Sequence, residues 1–322
     1  VLFAIIEGPS KGWTSSEVLV GALIGLGGVA AFVAWELHTD HPMLDLHFFE
    51  NPRFTAANIA VTLTFFAMFG SLFLMTQYWQ LVHGFTPLEA GVHLIPYALP
   101  IMFTPSMSAR LVERLGTKRV VTIGLTLISA AMLVLSTIQP DSSYLRVIVN
   151  MCFMSVGMGL TMAPATESVM GSLPREKAGV GSAVNDTTRQ MGGALGVAVI
   201  GSLVASVYAG GIDDAAPQFG ITGSVLETAR GSLGGALKAG GALGDAGAGF
   251  VAAARQAFVD GLAQGLRVGA GVVLVAAFVA YRFLPARAHG HGEVVVEPSV
   301  AGARSGAEVG DVTDGTVPVA GS

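Results

Sequence analysis

The chain has 322 residues, of which 52% are hydrophobic and only 12% charged, whereas a soluble domain carries about 25% charged residues. The single cysteine, Cys152, excludes a disulfide-stabilised secreted scaffold. The formal net charge of -5, without a basic stripe, argues against nucleic acid as a partner. The composition therefore indicates an integral membrane protein surrounded by lipid.

Seven segments are apolar and long enough to cross a bilayer, which takes roughly 20 residues. These predicted spans lie near residues 18–35, 56–81, 91–111, 120–138, 146–169, 184–208 and 262–284. The last span is the weakest, because Arg267 interrupts it. The runs are too long and alternate too little for the strands of a membrane barrel. We therefore expect an all-α, polytopic membrane helix bundle.

Lysine and arginine residues near the span ends predict the orientation, because cytoplasmic loops carry an excess of them. The more basic side carries Arg53, Arg110, Arg114, Lys118, Arg119, Arg175, Lys177, Arg282 and Arg287. The other side carries Lys11, Arg146, Arg230, Lys238 and Arg255. The first side, and with it the C-terminus, is predicted to be cytoplasmic.

The first residues, 1–6, are apolar and are followed by a polar stretch at 7–13. We interpret them as the cut end of an earlier span and a loop. The chain is then expected to be a fragment that lacks an N-terminal membrane half. The alternative is a complete protein with an unusual start.

The domain organisation follows from these spans. Residues 1–53 are predicted to contain the cut span, one complete linker span and a cytoplasmic loop. Residues 54–284 should form a helix bundle with a long external loop near 209–255, which includes a short amphipathic helix around 225–237. Residues 285–322 mix small, apolar and acidic side chains without periodicity, and predict a disordered cytoplasmic tail.

The loop between the first two complete spans holds side chains that could bind a metal, namely His38, Asp40, His41, Asp45 and His47. No spacing there defines a ligand geometry, so a solvated loop without a metal is the preferred interpretation. Phosphate-loop, zinc-protease and paired-cysteine motifs are also absent from the sequence. We expect neither an enzyme nor a bound cofactor.

The segment 109–119 is a tight basic loop in which Gly116 permits a sharp reversal. Charge anchoring alone would explain its basic residues. Its spacing, however, resembles the cytoplasmic loop motif of the major facilitator superfamily, Gly-x-Leu-x-Asp-Arg-x-Gly-Arg-Arg/Lys. The positions that carry this resemblance are Ala109, Leu111, Glu113, Arg114, Gly116 and Lys118, with Ala109 in place of Gly and Glu113 in place of Asp. Because the motif follows the second helix of a six-helix unit, the resemblance implies that spans two to seven form one such bundle.

A second segment, 154–202, narrows the resemblance. Its Gly-rich span with a proline, the Asn-Asp-Thr-Thr-Arg-Gln sequence from Asn185 and the Gly-Gly-Ala-Leu-Gly sequence from Gly192 resemble the fourteen-span drug:proton antiporters. That subfamily has two extra spans between its six-helix halves, to which residues 1–6 and 18–35 would correspond. The resemblance implies a proton-driven exporter of amphipathic, often cationic drugs, whose N-terminal bundle is the missing partner.

Small residues and prolines inside the spans are candidates for helix packing or bending. They are Pro96, Pro100, Pro105, Gly157, Gly159, Pro164, Gly192, Gly193 and Gly196. The three prolines of the 91–111 span allow either a bending helix beside a cavity or a static kink. Both interpretations remain open.

Polar groups inside predicted spans are expensive and therefore suggest function. The candidates for a substrate pathway or gate are Gln77, Gln80, Glu167, Asn185, Asp186, Arg189 and Gln190. Between the two glutamines, Tyr78 and Trp79 predict an interfacial aromatic belt. Asp186 and Arg189 share a helix face, so they could form a cytoplasmic gate pair or a polar patch that contacts substrate; Glu167 could approach them from the preceding span.

The leading hypothesis is the C-terminal portion of a secondary multidrug exporter in the bacterial cytoplasmic membrane, working by alternating access and inactive alone. The alternative is a non-transporting membrane interaction protein, or a half-transporter that acts only as a dimer.

Overall fold

The computed structural model describes residues 1–39, 42, 44–244 and 247–285. Every regular element among these residues is helical. The helices are α1 (Leu2–Lys11), α2 (Ser16–His38), α3 (Pro52–Gln77), α4 (Pro87–His93), α5 (Ile95–Leu115), α6 (Thr117–Leu135), α7 (Tyr144–Met170), α8 (Ala178–Ala215), α9 (Gly223–Gly231), α10 (Leu233–Ala242) and α11 (Gly247–Phe283). A π-turn at Tyr78–Val82 continues α3, and shorter 3-10 turns lie at Leu46–Glu50, Arg175–Lys177 and Ala216–Phe219.

Six helices among the described residues are long and apolar enough to cross a membrane, namely α2, α3, α6, α7, α8 and α11. The predicted all-α membrane bundle is therefore confirmed. The one remaining predicted span, 91–111, corresponds to α5, which is helical over 21 residues but less apolar. Its prolines and the charged residues Arg110, Glu113 and Arg114 near its end explain the difference.

The bundle consists of α3, α5, α6, α7, α8 and α11. Helix α7 packs along α5 and α6, α8 packs along α3 and α11, and α11 also contacts α6 and α3. Its interior is filled by apolar side chains such as Phe54, Leu125, Ile128, Met132 and Met151, all fully buried. By contrast, α2 presents nearly all its apolar side chains outward, and its main contacts are with α1 and the turn 46–50. Lipid would have to cover α2 in a membrane.

The segment 209–255, predicted as a long loop, is helical over most of its described length. Helix α8 continues to Ala215, and two short helices, α9 and α10, stand where one was predicted. Ser232 separates them and caps α10, its Oγ accepting a hydrogen bond from the Gly235 N–H at 3.1 Å. Tyr208 of α8 donates a hydrogen bond to the carbonyl oxygen of Ala229 at 2.8 Å. Tertiary packing against α8 and α11 thus stabilises a segment whose sequence shows little apolar periodicity.

The N-terminal helix is longer than expected. Residues 7–11, predicted as part of a loop, belong to α1, which ends at Lys11 and is followed by Gly12 with a φ of 87°. Helix α1 packs against α8, while Ser15 caps α2. Of the predicted tail 285–322, all but Pro285 lies outside the described residues, as do Asp40 and His41.

Candidate functional site

A groove of about 400 Å³ opens between α3 and α8. Phe65 and Phe69 form one wall, with ring centroids 6.1 Å apart and planes inclined by only 24°. Arg189, Gln190 and Gly193 of α8 form the other wall. The groove therefore combines a flat aromatic surface with one cation and one amide.

Arg189 is held across three helices rather than by its neighbour on α8. Its Nη2 donates a hydrogen bond to Thr166 Oγ1 of α7 at 3.1 Å, and its guanidinium carbon lies 5.5 Å from the Phe65 ring centroid. Asp186 Oδ1 is 3.9 Å from Nη1, at the outer limit of an ion pair, and the Asp186 carboxylate is largely exposed. The buried Nε of Arg189 has no hydrogen-bond partner among the described residues. The charge of Arg189 is thus only weakly compensated.

Glu167 does not join this cluster. Its side chain is exposed and forms no ion pair with any described residue. Successive helix residues point about 100° apart, so the register that turns Thr166 toward Arg189 turns Glu167 away. Asn185 is buried beside the cluster, and Gln190 lines the groove. Arg267 lies exposed on α11.

The predicted aromatic belt at Tyr78 and Trp79 is wrong, because both side chains are fully buried. The π-turn directs them inward, where Tyr78 donates a hydrogen bond to the carbonyl oxygen of Gln139 at 2.8 Å. Trp79 stacks on Phe85 with ring centroids 5.6 Å apart. The signal missed in the sequence was the density of aromatic and histidine residues directly after this span.

The two glutamines flanking these aromatic residues lie outside the α3–α8 groove. Gln77 lines a separate cavity of about 190 Å³, together with Tyr208 and Arg230. Gln80 is half-buried in the π-turn. The structure therefore does not bring either glutamine to Arg189.

The glycines of α8 form the contact with α3. A methyl group added to Gly192 would overlap the carbonyl oxygen of Thr62, and one added to Gly196 would overlap that of Phe66. At Gly193 an added methyl group would lie 2.9 Å from the Phe69 ring. The two backbones approach too closely for any side chain between them.

The glycines of α7 face two different neighbours. A methyl group on Gly157 would lie 2.6 Å from the carbonyl oxygen of Gly124 on α6, and one on Gly159 would lie 2.6 Å from Thr104 Cβ on α5. Pro105 of α5 is also close to Gly159. Helix α7 is thus packed tightly on both sides.

Prolines in α5 and α7 free backbone carbonyls, and the facing helix supplies donors for two of them. Pro164 has no N–H for the carbonyl oxygen of Leu160, which instead accepts a hydrogen bond from Ser108 Oγ at 3.3 Å. Pro100 likewise frees the carbonyl oxygen of Pro96, which accepts from Cys152 Sγ at 3.3 Å. Prolines are tolerated in membrane helices when neighbours satisfy the freed groups in this way.

The loop motif forms a sharp turn between α5 and α6. Gly116 has a φ of 84°, a left-handed conformation that favours glycine, and its N–H donates to the carbonyl oxygen of Val112 at 2.8 Å. Lys118 Nζ lies 4.5 Å from the Tyr281 ring centroid on α11. Ala109, Leu111, Glu113 and Arg114 occupy the last two turns of α5. Glu113 and Arg114 are exposed and form no ion pair with described residues.

The histidine-rich connection before α3 contains one local pair. Asp45 Oδ1 lies 2.8 Å from His47 Nδ1 and also accepts from the His47 N–H. This contact raises the pKa of His47 and lowers that of Asp45. His38 Nδ1 contacts its own helix at the carbonyl oxygen of Ala34. Among the described residues, no group of three or more His, Cys, Asp or Glu side chains is arranged to hold a metal.

The fold, with six helices among the described residues that are long and apolar enough to cross a membrane, defines a multi-pass membrane protein. Residues 3–197, more than half of the chain, match the Major Facilitator Superfamily. The chain belongs to this superfamily. The superfamily consists of transporters. The membership of this chain in it therefore confirms that the chain is not an enzyme.

Several bacterial relatives are similar in sequence. The chain is 32% identical over 206 residues to the multidrug resistance protein Stp of Mycobacterium tuberculosis, covering 64% of this chain and 38% of that protein. It is 30% identical over 208 residues to the tetracenomycin C resistance and export protein of Streptomyces glaucescens, with 64% and 38% covered. It is 28% identical over 266 residues to the multidrug efflux pump LfrA of Mycolicibacterium smegmatis, with 82% and 52% covered. The chain therefore spans between about two fifths and half of the length of these relatives.

Among solved structures, a bacterial homolog of the human lysosomal transporter Spinster, in an inward-facing and occupied conformation, has the same fold. The TM-score is 0.56 at 18% identity, covering 82% of this chain and 56% of that one.

Proposed function

We propose that this chain is the C-terminal portion of a fourteen-span drug:proton antiporter, which exports amphipathic, drug-like molecules by alternating access. Three relatives carry drug resistance or export in their names, and the chain spans at most about half of each. Helices α1 and α2 precede the six-helix bundle, where this subfamily has its two extra spans.

The observation that carries the proposal is the α3–α8 groove. Its stacked Phe65 and Phe69 rings offer an apolar surface to a flat molecule, and Arg189 and Gln190 offer polar contacts beside it. In this family of folds, substrate sites lie between two bundles that rock against each other. The groove is open on one side, and we assign that side to the N-terminal bundle.

The proton gradient is the energy source, and no cofactor is required. The membrane is the bacterial cytoplasmic membrane, with the loop motif and the C-terminus on the cytoplasmic side. Glu113 and Arg114, exposed at the end of α5, are available to pair with the N-terminal bundle.

The first test is genetic. We expect the reading frame upstream of this chain to encode six or seven further spans. Expressed with that extension in a drug-sensitive bacterium, the protein should confer resistance to amphipathic drugs. Arg189→Gln and Phe69→Ala should each reduce this resistance at least about tenfold, whereas Arg267→Gln, at an exposed site on α11, should not. An upstream frame without spans, or unchanged resistance in both groove variants, would contradict the proposal.

A charge exchange separates a gate pair from a substrate contact. If Asp186 and Arg189 act as a gate pair, combining Asp186→Arg with Arg189→Asp should restore the transport lost in each single variant. We expect no recovery, because Thr166 and Phe65 hold Arg189 while Asp186 is 3.9 Å away. If Asp186→Asn and Arg189→Gln both export drug with unchanged pH dependence, these residues form neither a gate pair nor a substrate contact.

A further inference from the structure

A second groove, of about 520 Å³, runs between α6 and α11. Thr122 and Thr126, one turn apart on α6, line one side. On α11 the groove is lined by residues that include Gly271, Leu274, Phe278 and Tyr281. The last three are more than half exposed, and no described element covers them. The buried faces of both helices, with Val121, Leu125, Val273 and Ala276, point into the bundle, so this groove faces outward.

One end of this groove is basic. Lys118 precedes Thr122 by one turn, and its Nζ lies 4.5 Å from the Tyr281 ring centroid. Arg119 and Arg282 are exposed at the same end of α6 and α11. None of these three cations forms an ion pair within the described part of the chain. An anionic group could therefore bind there without displacing a carboxylate.

The groove has the depth of one lipid leaflet. At a rise of 1.5 Å per residue, the distance from Lys118 to Thr126 is about 12 Å, and that from Tyr281 to Gly271 is about 15 Å. Half of a hydrocarbon core of about 30 Å is also about 15 Å. A molecule that fills the groove along its length needs an anionic head at the Lys118 end and an apolar chain reaching Gly271.

We propose that the α6–α11 groove binds one anionic phospholipid. Its phosphate contacts Lys118, and one acyl chain lies along Thr122, Thr126, Leu274 and Phe278 to Gly271. Arg119 and Arg282 add to the positive potential at the headgroup. The site is separate from the α3–α8 groove and does not depend on drug transport.

The test measures lipid binding to the purified chain in detergent by native mass spectrometry. Dioleoyl phosphatidylglycerol should bind in a one-to-one complex, at least about fivefold more tightly than dioleoyl phosphatidylcholine, because each cation near a headgroup contributes roughly that factor. Lys118→Gln should remove about this factor for phosphatidylglycerol and leave phosphatidylcholine unchanged. The control Lys238→Gln, at an exposed site on α10, should change neither.

A second variant fills the groove without changing charge. No atom lies within 4 Å of a methyl group placed on Gly271, so Gly271→Leu is compatible with the fold. It should weaken phosphatidylglycerol binding at least about fivefold, whereas Gly27→Leu, at an equally open site on α2, should not. Size-exclusion elution confirms that each variant is folded.

Three results would overturn the proposal. The first is equal binding of the two lipids to the unaltered chain, which requires no variant. The second is undiminished phosphatidylglycerol binding in Lys118→Gln or in Gly271→Leu. The third is a different occupant of the α6–α11 groove. Either glycerol phosphate that binds as tightly as the lipid does, or a dimer of this chain that Gly271→Leu dissociates, would exclude a bound phospholipid.

Discussion

The helix pairs α3–α8 and α5–α7 are held together by different interactions. Between α3 and α8, Gly192 and Gly196 bring backbone against backbone. Between α5 and α7, side chains donate hydrogen bonds to carbonyl oxygens, as Ser155 does to Tyr97 at 2.6 Å and Ser108 to Leu160 at 3.3 Å. Lipid tails are as apolar as a leucine side chain, so association in a membrane requires close packing or polar bonds. The α3–α8 pair uses close packing, whereas the α5–α7 pair adds hydrogen bonds to the close contact at Gly159.

The prolines explain where each interaction occurs. Pro100 and Pro164 leave carbonyls without their usual donors, and these carbonyls lie in the α5–α7 contact. Helix α8 contains no proline along its contact with α3, so its backbone is satisfied internally and small residues alone permit close approach. The α3–α8 pair should therefore be sensitive to added volume, and the α5–α7 pair should be sensitive to lost hydrogen bonds as well.

The largest effect is expected from Gly196→Ala. The added methyl group overlaps the carbonyl oxygen of Phe66, and a backbone cannot move aside as a flexible side chain can. We expect the free energy of unfolding to fall by about 1–3 kcal/mol, measured by SDS titration in mixed micelles with circular dichroism. Gly210→Ala is the control on the same helix, where nothing lies within 4 Å. Equal stability of the two variants would show that α3 and α8 do not pack through these glycines.

A smaller effect is expected from Ser108→Ala, which leaves the Leu160 carbonyl oxygen without its donor. The free energy of unfolding should fall by about 0.6 kcal/mol and by at most about 1.7 kcal/mol. In a Pro164→Ala background the loss should be smaller, because the substituted alanine supplies a backbone N–H to the same oxygen. Ser106→Ala, exposed on the same helix, is the matched control. If Ser108→Ala has the same effect with and without Pro164, the compensation we describe does not exist.

The smallest effect is expected from Asp45→Asn, which removes the solvent-exposed contact between Asp45 and His47. This contact lies outside the α3–α8 and α5–α7 helix pairs, so the substitution should disturb neither of them. Because the pKa of His47 is raised, its contribution to stability is present below about pH 6.5 and is lost as the pH rises through the folded-state value. Because the pKa of Asp45 is lowered, its contribution is present above about pH 3.9 and is lost as the pH falls through the folded-state value. Asp45→Asn should therefore lower the pKa of His47, measured by NMR of labelled histidine, and destabilise the chain most around pH 4–6.5, where both side chains are charged. An unchanged His47 pKa would exclude the contact.

The sequence predicted features that depend on local spacing. Long apolar runs predicted the membrane helices, and the four-residue interval of Gly192 and Gly196 predicted a close helix contact. The partner of that contact, α3, is more than 120 residues earlier in the chain, so local spacing does not specify it. Ser108 and Cys152 are likewise separated by more than 50 residues from the carbonyls they serve.

The direction in which a side chain points around its helix was the second feature that the sequence did not predict. The polar cluster around Arg189 was predicted with Glu167, yet the adjacent Thr166 makes the contact, because a one-residue shift rotates a helical side chain by about 100°. Tyr78 and Trp79 were placed at the membrane surface, but the π-turn rotates them into the bundle. Neither rotation is visible in composition or periodicity.

If this chain carries one wall of a transport pathway that a second bundle completes, as we propose, the chain should not transport by itself. The purified chain should be reconstituted into liposomes with an imposed pH gradient, and accumulation of a fluorescent amphipathic dye measured, with LfrA as the positive control. We predict no gradient-dependent accumulation above that of protein-free liposomes, because a single six-helix bundle cannot enclose the α3–α8 groove. Accumulation that disappears when the gradient is dissipated would contradict the claim, and would mean that one bundle, or a dimer of it, forms a complete pathway.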